Sequence, residues 1–199
     1  GRDYNTVSMS ESLLRNIYLK PFEAAAKSGA ASFMTSFNDL NGVPASGNNF
    51  LLKKILREEW KYDGFVVSDW HSVTEMIPHG YAADEKDAAF KSASAGLDME
   101  MTSLSYANHL KTLIAENKIS EKQLDEMVRN ILRIKFRAGV FENPYFKDRE
   151  NFSLLTADAL KTAKEAASKS CVLLKNESNI LPLKSNQKIA VIGPLADAP

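Results

Sequence analysis

The chain lacks what several function classes require. Of its 199 residues only Cys171 is a cysteine, so no disulfide can close within it. Neither a Cys-x-x-Cys pair nor a His-Glu-x-x-His motif is present to build a zinc site. No run approaches the ~18 apolar residues of a membrane-spanning helix, and the opening GRDYNTVSMS has no apolar core of a signal peptide. Excess charge is missing too: Lys+Arg and Asp+Glu are both 25, and no basic tract forms a phosphate-binding stripe. Nucleic acid and membrane are thereby set aside as partners. Cys171, in CVLLKN, reads as a small buried side chain rather than a reactive thiol.

What is there is ordinary globular material, 44% hydrophobic and 25% charged, enough for a sizeable core. Residues 9–29 carry a helical pattern that Pro21 should divide, because proline lacks the N–H a continuing helix needs. Residues 30–37, AASFMTSF, read as a strand, followed by loop signals in NDLNGVPASG and a helix over about 48–61. GFVVSDW, residues 64–70, is short, β-branched and apolar, as expected of a strand covered on both faces. Helical material broken near Pro78 and Gly80 leads to a third strand in AGLDMEM, and two helices follow. The second is marked by Ser120 and Gln123 as a capping box and by Gly139 as its stop.

Alternating strands and helices predict an α/β fold with parallel strands. Periodicity alone leaves a closed barrel and an open sheet both possible. From residue 144 to 155 the pattern lapses into polar and aromatic residues without a period, which reads as a linker. Beyond it come an alanine-rich helix and two strand candidates, SCVLL and KIAVIGPLADAP. Three strands before the linker and two after it fall short of the eight strands and ~250 residues of a closed barrel. The expectation is a piece of a longer protein.

In parallel α/β folds functional groups collect beyond the C-terminal ends of the strands. Asp69 falls there, where a carboxylate can serve as nucleophile, general base or metal ligand. Trp70 beside it offers a broad face that suits the C–H face of a sugar ring, although an indole also fills cores. The competing role for Asp69 is helix capping; Ser72 and Glu75 form a capping box of their own, which leaves Asp69 outside that role. His71 and His79, with Asp69 or Asp84, suggest a metal only weakly at a spacing of eight residues. His109 reads as surface. Asp98 and Glu100 lie near another strand end, Asp98 reading as a structural hydrogen-bond acceptor. VIGPLAD fails the glycine spacing of a nucleotide loop.

Taken together, MTSFNDLNGVPAS, LLKKILREEWKYDGFVVSDW, AGLDMEM and SCVLLKNESNILPL…KIAVIGPLAD resemble glycoside hydrolase family 3, particularly its bacterial periplasmic β-glucosidases. The resemblance implies the later part of a (β/α)8 TIM-type barrel over residues 1–143, then the opening of a second α/β sandwich domain over 156–199. It implies a retaining mechanism in which Asp69 is the nucleophile, Trp70 flanks the bound glycosyl unit, and Phe37 stands where many members carry a tyrosine. The acid/base glutamate of the subgroup lies downstream of this chain, and its sugar-holding lysine–histidine pair upstream. The substrate implied is a β-glucoside or oligosaccharide, with no metal or organic cofactor, in the periplasm or outside the cell. A tryptophan after the nucleophile resembles the glucosidase more than the xylosidase branch. A sugar-binding barrel without turnover is the alternative of another class.

Overall fold

The computed structural model describes residue 4 and residues 6–145, 155–194 and 196–197. The chain divides into two compact units, Gly1–Tyr145 and Phe146–Pro199. The expected linker lies almost wholly outside the described residues.

The first unit opens with α1 (Glu11–Leu13), capped by the Ser10 side chain. A five-residue π-helical stretch, Leu14–Tyr18, then separates it from α2 (Lys20–Lys27). Pro21 sits in the first turn of α2, where its missing N–H costs nothing, so the predicted division is real. The parallel sheet follows: β1 (Ser32–Met34), β4 (Phe65–Trp70) and β5 (Met99–Met101), with β4 in the centre. Ser32 faces Phe65 and Met34 faces Val67. Between β1 and β4 lies an antiparallel hairpin, β2 (Asp39–Leu40) and β3 (Val43–Pro44). Its turn is Asn41-Gly42, both with positive φ (53° and 84°), the left-handed pair a two-residue hairpin demands.

The helix expected near 48–61 is Phe50–Glu59, wound as a π-helix whose last turn has the Trp60 N–H reaching back five residues to the Ile55 carbonyl. After β4 come α3 (Glu85–Ala95), α4 (Ser105–Ala115) and α5 (Glu121–Arg137). Asp84 caps α3, and Gly96 (φ 101°) closes it in the left-handed region. Ser120 caps α5 as predicted, but Gln123 donates its side-chain N–H to the Ala93 carbonyl, so the box stays half-made and α5 is tied to α3.

One face of the sheet carries the core. Val66 and Ser68 are fully buried, and Val66 packs among Leu52, Leu56, Leu97, Leu113 and Met127 from the surrounding helices. The other face is open to water: Phe65, Val67 and Asp69 are only half-buried, and Met34 and Met99 beside them are exposed. Within the first unit β4 is covered on one face, where both were expected to be. Among the described residues helices pack on one side only.

In the second unit, α6 (Ala157–Ser170) forms as predicted, capped by Thr156. The two predicted strands do not. Among the described residues 171–176 and 188–193 no strand pairs with another, and Leu174 and Ile192 are each 91% exposed. A strand exists only by pairing its N–H and C=O groups with a neighbour, and neither segment has one here. Cys171 is likewise exposed, its thiol 3.5 Å from the Ala167 carbonyl. The expected burial is therefore corrected. Among the described residues no helix is long and apolar enough to cross a membrane.

Candidate active site

Along β4 the pairing with β5 slips. Val67 stands opposite Met99, whereas Trp70 stands opposite Met101, so three steps on β4 match two on β5. The extra residue is a bulge at Ser68–Asp69, a device that turns a side chain away from its regular alternation. Ser68 repairs the broken ladder. Its Oγ accepts from the Met101 N–H at 2.8 Å and donates to the Asp69 carbonyl at 2.8 Å. The same carbonyl accepts from the Ser72 N–H at 3.1 Å, so the Asp69 backbone is held twice.

The Asp69 side chain is half-buried, and its Oδ1 accepts from the Trp70 N–H at 2.7 Å. Oδ2 carries no hydrogen bond among the described residues, which leaves one oxygen oriented and the other open to an electrophile. Trp70 is 59% exposed, far from a core indole. Its ring meets that of His71 edge-on, with centroids 5.9 Å apart. The chain turns sharply where both strands end. His71 (φ 58°) follows β4 and Thr102 (φ 63°) follows β5, and for β-branched Thr102 that conformation is strained.

The capping box expected at Ser72 and Glu75 does not form. Ser72 Oγ lies 2.7 Å from Ser46 Oγ instead, and the short turn Thr74–Met76 has no side-chain cap. Asp69 does not cap a helix either: its carboxylate engages the next peptide N–H. Phe37, in the loop between β1 and β2, stacks on Tyr4 with centroids 4.3 Å apart. It lies three residues past Met34, beyond the same strand ends as Asp69.

Three of the other acids are committed. Asp84 Oδ1 accepts from the Asp87 N–H. Glu100 holds the start of α4, its two oxygens accepting from the Tyr106 N–H at 2.7 Å and the Ser103 hydroxyl at 2.8 Å. Asp98 lies at the N-terminal end of β5, away from the rim. It is buried and accepts from the Val66 N–H (2.7 Å), from Asn130 Nδ2 (2.9 Å) and from Arg57. Burial raises its carboxyl above the ordinary value, with Arg57 pulling the other way. Its structural reading holds. His109 is half-buried, 3.7 Å from Glu85. Among the described residues no three of His, Cys, Asp and Glu are grouped to hold a metal ion.

A cavity of about 550 Å³ lined by Leu14, Phe22, Phe33, Leu40 and Ile55 does not include Asp69 or Trp70. The carboxylate and indole instead stand on an open rim. Such an arrangement in an α/β fold, with an acid delivered by a parallel strand beside an exposed aromatic, can hold a sugar ring against the indole and within reach of the carboxylate.

Comparison with known proteins gives the family. Residues 1–134 match the family described as the glycosyl hydrolase family 3 N terminal domain. The chain is 41% identical over 204 residues to a periplasmic beta-glucosidase of Salmonella typhimurium, covering 100% of the chain and 27% of that protein. It is 39% identical over 200 residues to a beta-xylosidase of Formosa agariphila, covering 94% and 28%. Among solved structures, a beta-glucosidase from Listeria innocua in complex with glucose superposes with a TM-score of 0.78 at 44% identity, over 91% of the chain and 25% of that enzyme. The chain belongs to glycosyl hydrolase family 3. It spans about a quarter of the length of these relatives.

Proposed function

We propose that the protein is a retaining exo-acting β-glycosidase that removes terminal β-linked glucose, with Asp69 as nucleophile. One observation carries this reading: the bulge in β4 presents the Asp69 carboxylate with one oxygen held by the Trp70 N–H and the other open, beside an exposed indole. Asp69 Oδ2 attacks the anomeric carbon as the bond to the leaving oxygen breaks, giving a covalent glycosyl ester. Water then attacks the same carbon and releases Asp69 with net retention. Two carboxyl groups ~5–5.5 Å apart serve such chemistry, one attacking and one donating then accepting a proton. The resemblance assigns the second to a segment downstream of this chain. Trp70 packs against the apolar face of the sugar, and Phe37 borders the same subsite. The chemistry needs neither metal nor organic cofactor.

On this reading residues 1–143 form the later part of a (β/α)8 barrel, whose remaining strands cover the open sheet face carrying Met34 and Met99. Residues 156–199 begin a second α/β domain. The similarity to a periplasmic enzyme supports a periplasmic or secreted location.

Treatment of the full-length protein with a 2-deoxy-2-fluoro-β-glucoside should leave a stable glycosyl adduct, and peptide mapping by mass spectrometry should find it on Asp69. A label on another peptide would sink the assignment. The identity with a beta-xylosidase favours a second reading, β-xylosidase action at the same carboxylate. The ratio of hydrolysis rates for aryl β-glucoside and aryl β-xyloside decides between them.

A further inference from the structure

We infer that Ser46 is a positioning residue for Asp69, acting through a chain of three buried hydroxyls; the role rests on the glycosidase reading above. Ser46, 1% exposed, occupies the turn after β3. Its Oγ lies 2.8 Å from Thr35 Oγ1, just past β1, and 2.7 Å from Ser72 Oγ, just past β4. Thr35 and Ser72 are 5% and 4% exposed, so water does not compete for these bonds.

Both ends of the chain return to β4 through the backbone. The Thr35 N–H donates to the Val67 carbonyl at 3.0 Å, and the Ser72 N–H donates to the Asp69 carbonyl at 3.1 Å. Hydrogen bonds therefore run in a closed circuit from Val67 to Asp69, by way of loops separated by 11 and 26 residues in sequence. The circuit spans the stretch where regular pairing with β5 fails. On the β5 side Ser68 replaces the lost ladder. On the β1 side, where pairing is regular and ends at Met34, the three hydroxyls join the loops that follow β1 and β4, with Ser46 as the link that neither strand supplies.

Each hydroxyl has one proton to donate, and a buried one left without a partner is unfavourable. Removing Ser46 Oγ orphans its neighbours on both sides, and the turn carrying Ser72 loses its anchor. The Asp69 peptide then shifts relative to the sugar. The effect falls first on the reacting carboxylate, whose partner, the Trp70 N–H, belongs to the shifted peptide.

The test uses the full-length protein and the same fluoroglucoside. In Ser46→Ala the rate of labelling at Asp69 should fall about tenfold or more, as expected for a nucleophile displaced by a fraction of an ångström. KM for an aryl β-glucoside should change far less. Labelling of Ser46→Ala at the unsubstituted rate overturns the positioning role alone, as does a raised KM with kcat unchanged. No labelling of the unsubstituted protein overturns the nucleophile reading and this inference with it. If Ser46→Ala does not fold, Thr35→Val and Thr35→Ser carry the same decision. The serine variant, which keeps the hydroxyl, should label faster than the valine variant; equal rates overturn the inference.

Discussion

Two aspartates on neighbouring strands of one sheet, Asp69 and Asp98, differ in everything but their residue type. Asp98 is enclosed, and three donors converge on it from the π-helix, β4 and α5. It bolts the N-terminal end of the sheet to two helices. Asp98→Ala leaves the Arg57 guanidinium without its counter-charge, held only by the Tyr62 and Gly64 carbonyls, and the Val66 N–H without its acceptor, and should destabilise the fold by about 3 kcal/mol. The pH dependence has a definite sign. Because burial raises the folded-state value, the folded chain binds this proton more tightly than the unfolded one. The contribution is fully present below the ordinary carboxylate value and is lost as pH rises through the folded value. Urea unfolding from about pH 4 to about pH 7 should show the gap between unsubstituted and Asp98→Ala protein narrowing as pH rises. A widening gap would mean that Arg57 outweighs burial. Asp69 was legible as a candidate because an apolar strand ends on it. Its role was not, since a carboxylate at a strand end can cap, bind or attack until its partners are seen.

At the scale of elements, the bulge in β4 joins fold to chemistry. Ser68 is fully buried, and its Oγ is the acceptor that the Met101 N–H has lost from the ladder. Ser68→Ala should cost about 1–3 kcal/mol, the penalty for an orphaned buried donor. Amide exchange at Met101 should quicken more than at the regular β1–β4 pairs, and unchanged protection there would deny Ser68 its bridging role. The three strands of this sheet were readable from short β-branched or apolar runs, and the Ser120 cap from its residue type. The Asn41-Gly42 hairpin was written plainly in the sequence but hidden in a stretch that reads as loop. The π-helical winding of Phe50–Glu59 was not legible, because its apolar spacing also fits an α-helix. The Thr35–Ser46–Ser72 chain was beyond reach for another reason. Small hydroxyl residues in loops carry no period, and only the fold brings them together.

For the whole molecule, the surface tells what the first unit has to meet. Met34 (51%), Trp70 (59%) and Met99 (44%) stand exposed on or beside one sheet face, next to the carboxylate assigned to attack. A retaining reaction divides its work between two carboxyl groups, because the leaving oxygen must gain a proton as the ester forms. On the present reading residues 1–199 supply only the attacking one. Asp84, Asp98 and Glu100 are each tied into the local structure, so none of these three is free to act as the missing acid. The 199-residue chain by itself should therefore fail to turn over an aryl β-glucoside whose leaving group needs protonation, whereas the full-length protein should hydrolyse it. A glucoside with a highly acidic leaving group, which departs without a proton, separates the two contributions. In the full-length protein, loss of the downstream acid should spare the first half-reaction with that substrate, and Asp69→Asn should abolish it. Hydrolysis of the demanding substrate by the isolated chain would place the acid within residues 1–199 and overturn the division of labour argued here.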